Sequence, residues 1–149
     1  HKKERRGRSA PLNMVITETG AATAVVKALP ALAGKLTGNA IRVPVPNVSL
    51  AILNLTLETE ATVADINTVL RDASMSVDLG EQIDYTTSTE LVSSDLVGAD
   101  RTSIVDSQAT IADRDRCVLY VWYDNEAGYS YQVVRVVQEI AGLTYPRVP

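Results

Sequence analysis

A chain of 149 residues with 46% hydrophobic side chains is long enough to bury a core and fits one domain, which excludes a wholly disordered protein. No apolar run approaches the ~20 residues of a membrane span, and the single cysteine, Cys117, excludes an internal disulfide. The net charge of -4 hides an asymmetry: "HKKERRGR" holds five Lys/Arg against one Glu, whereas the other 141 residues hold nine against seventeen, a net of -8. Such a basic run is a solvated tail or a segment that meets an anion. The acidic body, with few aromatics between the arginines, argues against a nucleic-acid partner. A reducing, cytoplasmic setting is expected. The start at His1 rather than Met suggests a fragment, a processed product or a deliberately trimmed chain.

In chain order, residues 1–18 read as an irregular basic lead-in and residues 19–149 as a single domain. "TGAATAVVKALPALAGKL" predicts a helix over 20–36 with Thr19 as N-cap. Ala22, Val25, Leu29, Leu32 and Leu36 form its apolar stripe, and Pro30 should kink or divide it. Ile41, Val43 and Val45 alternate with Arg42, Pro44 and Pro46, the pattern of an edge strand or an irregular corner. A better strand follows over 48–57. "TVADINTVLRDASM" predicts a second helix capped by Thr62. Short strands are expected at 82–86, 102–106 and 110–112, and a strong one at 117–123. Both faces of the last are apolar, as in a central strand. A final helix over 128–141 stops at Gly142. Without regular βα alternation these elements predict an α+β fold, a mostly antiparallel mixed sheet with helices packed on one face.

Three places could carry chemistry. Thr19 and Gly20 stand at a predicted helix N-terminus, where free N–H groups and a hydroxyl suit a phosphate. The commoner meaning of such a pair is an ordinary cap. Arg42 can hold a phosphate with its planar fork or simply face solvent. In "WYDNEAGYS", Asn125 can read an amide group, Tyr123 and Tyr129 can line a flat pocket, and Asp124 or Glu126 could be a cap or a general base. A capped strand–helix junction explains the same residues equally well. Cys117 is expected to be an inert buried thiol, and one His and one Cys cannot supply a zinc set.

Taken together, "TETGAATAVVKALPALAGKLTGNAIRVPVPNVSL", "SDLVGADRTSIVD" and "WYDNEAGYS" resemble the C-terminal catalytic domain of phosphorylating glyceraldehyde-3-phosphate dehydrogenase, in order and spacing, over essentially the whole chain. "HKKERRGRSAPLN" resembles that family's S-loop. The resemblance implies phosphate binding by Thr19, Gly20, Arg42 and the S-loop Arg6. It implies that Asn125 holds the nicotinamide carboxamide, with Tyr129 packed nearby and Tyr123 close to the catalytic centre. It implies NAD as cofactor, glyceraldehyde 3-phosphate and inorganic phosphate as substrates, and a homo-oligomer with catalytic-domain sheets face to face. The chain departs from the family pattern at Ile16, where a proline is frequent, and at Ala127, where a large aromatic is frequent. It holds neither the "SCTTN"-type catalytic cysteine, nor its partner histidine, nor the glycine-rich dinucleotide-binding domain. No catalytic residue is therefore expected within it, and the isolated piece is expected to be inactive. Alternatives are an oligomerisation or interaction module and an erythrose-4-phosphate dehydrogenase of the same family.

Overall fold

A computed structural model describes residues 12–143. They belong to two compact units, His1–Pro46 and Asn47–Pro149.

In the first unit, β1 (Val15–Glu18) pairs antiparallel with β2 (Asn39–Arg42), from Val15 opposite Arg42 to Glu18 opposite Asn39. The expectation of an irregular lead-in through residue 18 is corrected here. Val15, Ile16 and Thr17 are all β-branched and prefer extended backbone, and the basic run ends before them. The helix expected over 20–36 is shorter: α1 spans Ala21–Ala28, and a 3-10 turn follows at Pro30–Leu32. Pro30 divides the segment because it has no N–H to continue the ladder and pushes Leu29 out of helical geometry, to φ -125° and ψ 78°. The alternation beyond Arg42 does not extend the strand, since Pro44 cannot donate to a ladder. Among the described residues of this unit, Val15 is the buried apolar one, at 8% exposure.

The second unit is built on β7 (Arg116–Tyr123), central as its two apolar faces predict. Along one edge it pairs antiparallel over its full length with β3 (Ser49–Thr56), from Ser49 opposite Tyr123 to Thr56 opposite Arg116. The other edge carries β5 (Ser103–Asp106) opposite Val121 and Trp122, and β6 (Ile111–Asp113) opposite Arg116 to Val118. A 3-10 turn at Ser107–Ala109 joins β5 to β6. Outermost, β4 (Ile83–Thr86) runs parallel to β5. The class is therefore α+β with mostly antiparallel pairing, as expected. The core centres on Ile104, Val105, Cys117 and Leu119, each at most 7% exposed.

Helix α2 (Val63–Ser74) starts where its capping box predicts. The Asp65 N–H donates to Thr62 Oγ1 at 3.2 Å, and the Thr62 N–H donates to Asp65 Oδ2 at 2.9 Å. Asn67 ties this helix to the β5–β6 turn: its Nδ2 donates to the Ser107 carbonyl, and its Oδ1 accepts from the buried Thr110 hydroxyl. Helix α3 (Ala127–Ile140) is attached by its polar side. Gln132 Nε2 and Arg135 Nη1 donate to the Glu81 carbonyl, and Arg135 also reaches the Asp100 carbonyl and carboxylate. Its apolar residues Val133, Val134, Val136, Val137 and Ile140 lie exposed.

Asp124 joins β7 to α3 and is 3% exposed. Its Oδ1 accepts the N–H groups of Glu126 and Ala127, at 2.8 and 2.9 Å. Its Oδ2 accepts the Gly98 N–H at 2.8 Å and Asn47 Nδ2 at 2.9 Å. The backbone N–H of Gly98, then those of Ala127 and Glu126, and lastly the Asn47 amide hold this carboxyl down to about 2, against the opposing effect of burial. Between that value and the ordinary 3.8, an unfolded chain binds a proton that the folded chain does not. Asp124 thus stabilises the fold fully above pH ~4, and the contribution is lost as pH falls toward 2. Urea unfolding of wild type and Asp124→Asn should differ by about 1–3 kcal/mol at neutral pH, because the four donors lose their charged acceptor. That difference should shrink as pH falls from about 4 toward 2; a pH-independent difference would refute the account.

Candidate functional site

In the first unit the structure puts Thr19 and Gly20 together at the start of α1. Gly20 itself occupies the N-cap position, with φ -87° and ψ 3°, so the expectation of Thr19 as N-cap is corrected by one residue. Thr19 Oγ1 still accepts the Ala21 N–H, at 3.2 Å, which removes one of the helix's free donors. A Cβ built on Gly20 meets no heavy atom within 4 Å, so the space over this backbone is open. Arg42 pairs with Val15 at the opposite end of the β1–β2 ladder from Glu18, the residue before Thr19. Three ladder steps of ~3.3 Å separate it from Asn39, a span on the order of an arginine side chain's own reach. Arg42 is exposed, and no described residue pairs with its guanidinium. Arg6 and His1 lie outside the described residues.

In the second unit, Asn125 is exposed at the turn between β7 and α3, and Tyr129, 72% exposed, is in the first turn of the helix. The Ser49 hydroxyl donates to Asn125 Oδ1 at 2.8 Å. That contact occupies the acceptor end of the amide, while Nδ2 makes no hydrogen bond to a described residue. Asn125 therefore presents donors, the complement of a carbonyl such as that of a carboxamide. Tyr123, half-buried, lies opposite Ser49 in the ladder. Gly128 lets the helix start close to its neighbour, since a Cβ there would stand 3.0 Å from the Arg101 carbonyl oxygen. The turn closes around Ala127, half-buried at the first helical position, without the large aromatic of the family pattern.

Local geometry gives the titratable residues of the turn and of the central strand their settings. Asp124 is a structural acceptor: with both oxygens committed and its carboxyl held near 2, it is a poor base. Glu126 sits exposed at the N-cap of α3, and its side chain makes no cap hydrogen bond. Cys117 is 3% exposed, and burial pushes its thiol up, the opposite of an activated nucleophile. Among the described residues no group of His, Cys, Asp and Glu could hold a metal ion, and no helix is long and apolar enough to cross a membrane.

Three residues outside this turn help to hold it and have no signal in the sequence. Asn47 and Ser49 both reach it, one to Asp124 and one to Asn125, from a segment 76 or 77 positions earlier. Val48 between them is 6% exposed and has φ 71°. Nothing local marks them, because polar residues before a strand are ordinary, and a β-branched residue is the last expected at positive φ.

Comparison with known proteins shows the family of the chain. The family described as "Glyceraldehyde 3-phosphate dehydrogenase, C-terminal domain" matches residues 1–125. A "Glyceraldehyde-3-phosphate dehydrogenase-like protein" of Pseudomonas aeruginosa is 62% identical over all 149 residues, which cover 32% of that protein. A cytosolic glyceraldehyde-3-phosphate dehydrogenase of Ranunculus acris is 48% identical over 89% of the chain and 39% of its own length. The glyceraldehyde-3-phosphate dehydrogenase of Priestia megaterium is 45% identical over 95% of the chain and 42% of its own length. The chain thus spans about a third to two fifths of the curated relatives it matches, and it belongs to the family of the glyceraldehyde 3-phosphate dehydrogenase C-terminal domain.

Proposed function

We propose that the chain is part of an NAD-dependent glyceraldehyde-3-phosphate dehydrogenase, an oxidoreductase of glycolysis, and supplies phosphate binding and nicotinamide orientation. The observation that carries this reading is the Asn125 amide. Its acceptor end is held by Ser49 and its donor end is open, which fits the carbonyl of a nicotinamide carboxamide. When bound, NAD supplies the hydride acceptor. The chain's part is to fix which face of the ring is offered, with Tyr129 beside it on the first turn of α3. Thr19 and Gly20 offer an open helix N-terminus to a phosphate of the substrate or to inorganic phosphate, and Arg42 and Arg6 add positive charge. The attacking thiolate and its base belong to the part of the enzyme that this chain does not contain, so the chain alone is inactive. A cytosolic setting follows from the same reading; the Ranunculus acris relative is named cytosolic.

The test is a fusion of this chain behind the portion of the Priestia megaterium enzyme that it does not cover. Phosphate-dependent NAD reduction with glyceraldehyde 3-phosphate is expected, faster than with erythrose 4-phosphate. A folded but inactive fusion would overturn the reading, and preference for the four-carbon sugar would move it to the sister activity. Within an active fusion, Arg42→Ala should raise the KM for phosphate by about tenfold or more, the worth of a charge-assisted hydrogen bond, and leave the KM for NAD within about twofold. An unchanged phosphate KM would remove Arg42 from the site.

A second reading, self-association, is supported by the sheet face that β3 shares with Tyr120 and Trp122, where Leu50 and Ile52 are 37% and 52% exposed. Light scattering of the 149-residue chain at micromolar concentration should give a mass above the 16.0 kDa monomer. A strict monomer would rule it out.

A further inference from the structure

Val48 is the residue of the second unit that most needs an explanation. A β-branched side chain at φ 71° is in the left-handed region that L-residues avoid, and this one is buried at 6% exposure. Strain of that kind persists only where the surroundings over-determine it, and it gathers at functional sites. The surroundings of Val48 are on either side of it in the chain. Asn47 donates its Nδ2 to Asp124 Oδ2 at 2.9 Å, and Ser49 donates its hydroxyl to Asn125 Oδ1 at 2.8 Å. Two residues flanking a strained one thus grip two consecutive residues of the β7–α3 turn.

The two grips do different work. Asp124 is already fixed by Gly98, Glu126 and Ala127, so Asn47 adds a fourth contact to a rigid anchor. Asn125 has no such backing. It is exposed, its backbone follows the anchor, and its side-chain amide could face either way about its last torsion. The described hydrogen bond that tethers that amide comes from Ser49, whose hydroxyl donates to Oδ1 at 2.8 Å. A side chain held in place loses less freedom when a ligand binds to it.

We propose that Asn47–Val48–Ser49 is a positioning clamp for Asn125, in which Ser49 tethers the side-chain amide in place and the strained Val48 keeps both grips on one turn. Ser49 is then a positioning residue for a carboxamide ligand, acting through Asn125 and touching no reacting atom. The proposal deepens the reading of Asn125 as the nicotinamide-orienting amide and rests on it.

The first arm uses the 149-residue chain itself, with the side-chain amide of Asn125 followed by proton–nitrogen NMR. Ser49→Ala should shift the Asn125 side-chain amide pair and leave the backbone spectrum otherwise superimposable, and Ser49→Thr, which keeps a hydroxyl, should restore it. An unchanged side-chain pair in Ser49→Ala overturns the clamp. The second arm uses the active fusion described above. Ser49→Ala should raise the KM for NAD about three- to tenfold, the worth of one preset hydrogen bond, with kcat within about twofold and with rescue by Ser49→Thr. Asn125→Ala is the control that separates the two levels. If it leaves the KM for NAD unchanged, the nicotinamide reading fails whatever Ser49 does. If it raises the KM and Ser49→Ala does not, the clamp fails and the nicotinamide reading stands.

Discussion

One buried carboxylate organises the second unit. Asp124 accepts four hydrogen bonds from three stretches of chain: the loop at Gly98, the approach to β3 at Asn47, and the first residues of α3. A charge taken out of water is tolerable only when its lone pairs are filled, and here they are filled chiefly by backbone N–H groups, which cannot turn away. The end of β7, the start of α3 and the entry of β3 are thereby held in one place. Asn125 inherits its position from that arrangement. Its backbone follows directly after a residue held by four hydrogen bonds, and its side chain is tethered by Ser49.

Much of the architecture could be read from the sequence where a single residue carries a local rule. Pro30 ends α1 because it lacks a donor. Thr62 and Asp65 announce α2 by their spacing. Cys117 to Tyr123 alternates apolar residues onto both faces and is the central strand. These are decisions taken over a few residues. What could not be read is what depends on partners far along the chain. The Ser49–Asn125 contact spans 76 positions, and the left-handed backbone of Val48 contradicts its own propensity because Asn47 and Ser49 are both engaged elsewhere. The strand at Val15–Glu18 has a local signal in its three β-branched residues, overshadowed by the basic run before it.

The candidate sites divide the same way. Thr19, Gly20, Arg42 and Asn125 were named by residue type and by resemblance, and the structure gives each a local setting. Gly20 has open space above its backbone, Arg42 stands at the far end of its ladder, and Asn125 has one end of its amide occupied. The positioning shell of Asn47, Val48, Ser49 and Gly98 had no signature of its own, since its members matter only through what they hold. A family resemblance that copies ligand-touching residues from motif to motif leaves out this layer, although it holds those residues in place.

Helix α3 grips the body of its unit with Gln132 and Arg135 and turns its valines outward. Its two sides therefore answer the surrounding electrolyte in opposite senses. Simple salt screens the half-exposed pair of Arg135 with Asp100 and loosens the inner attachment, whereas strongly hydrated anions such as sulfate drive the outer aliphatic side out of water. The identity of the ion, and not ionic strength alone, sets how firmly this helix stays seated and how readily the valines find cover.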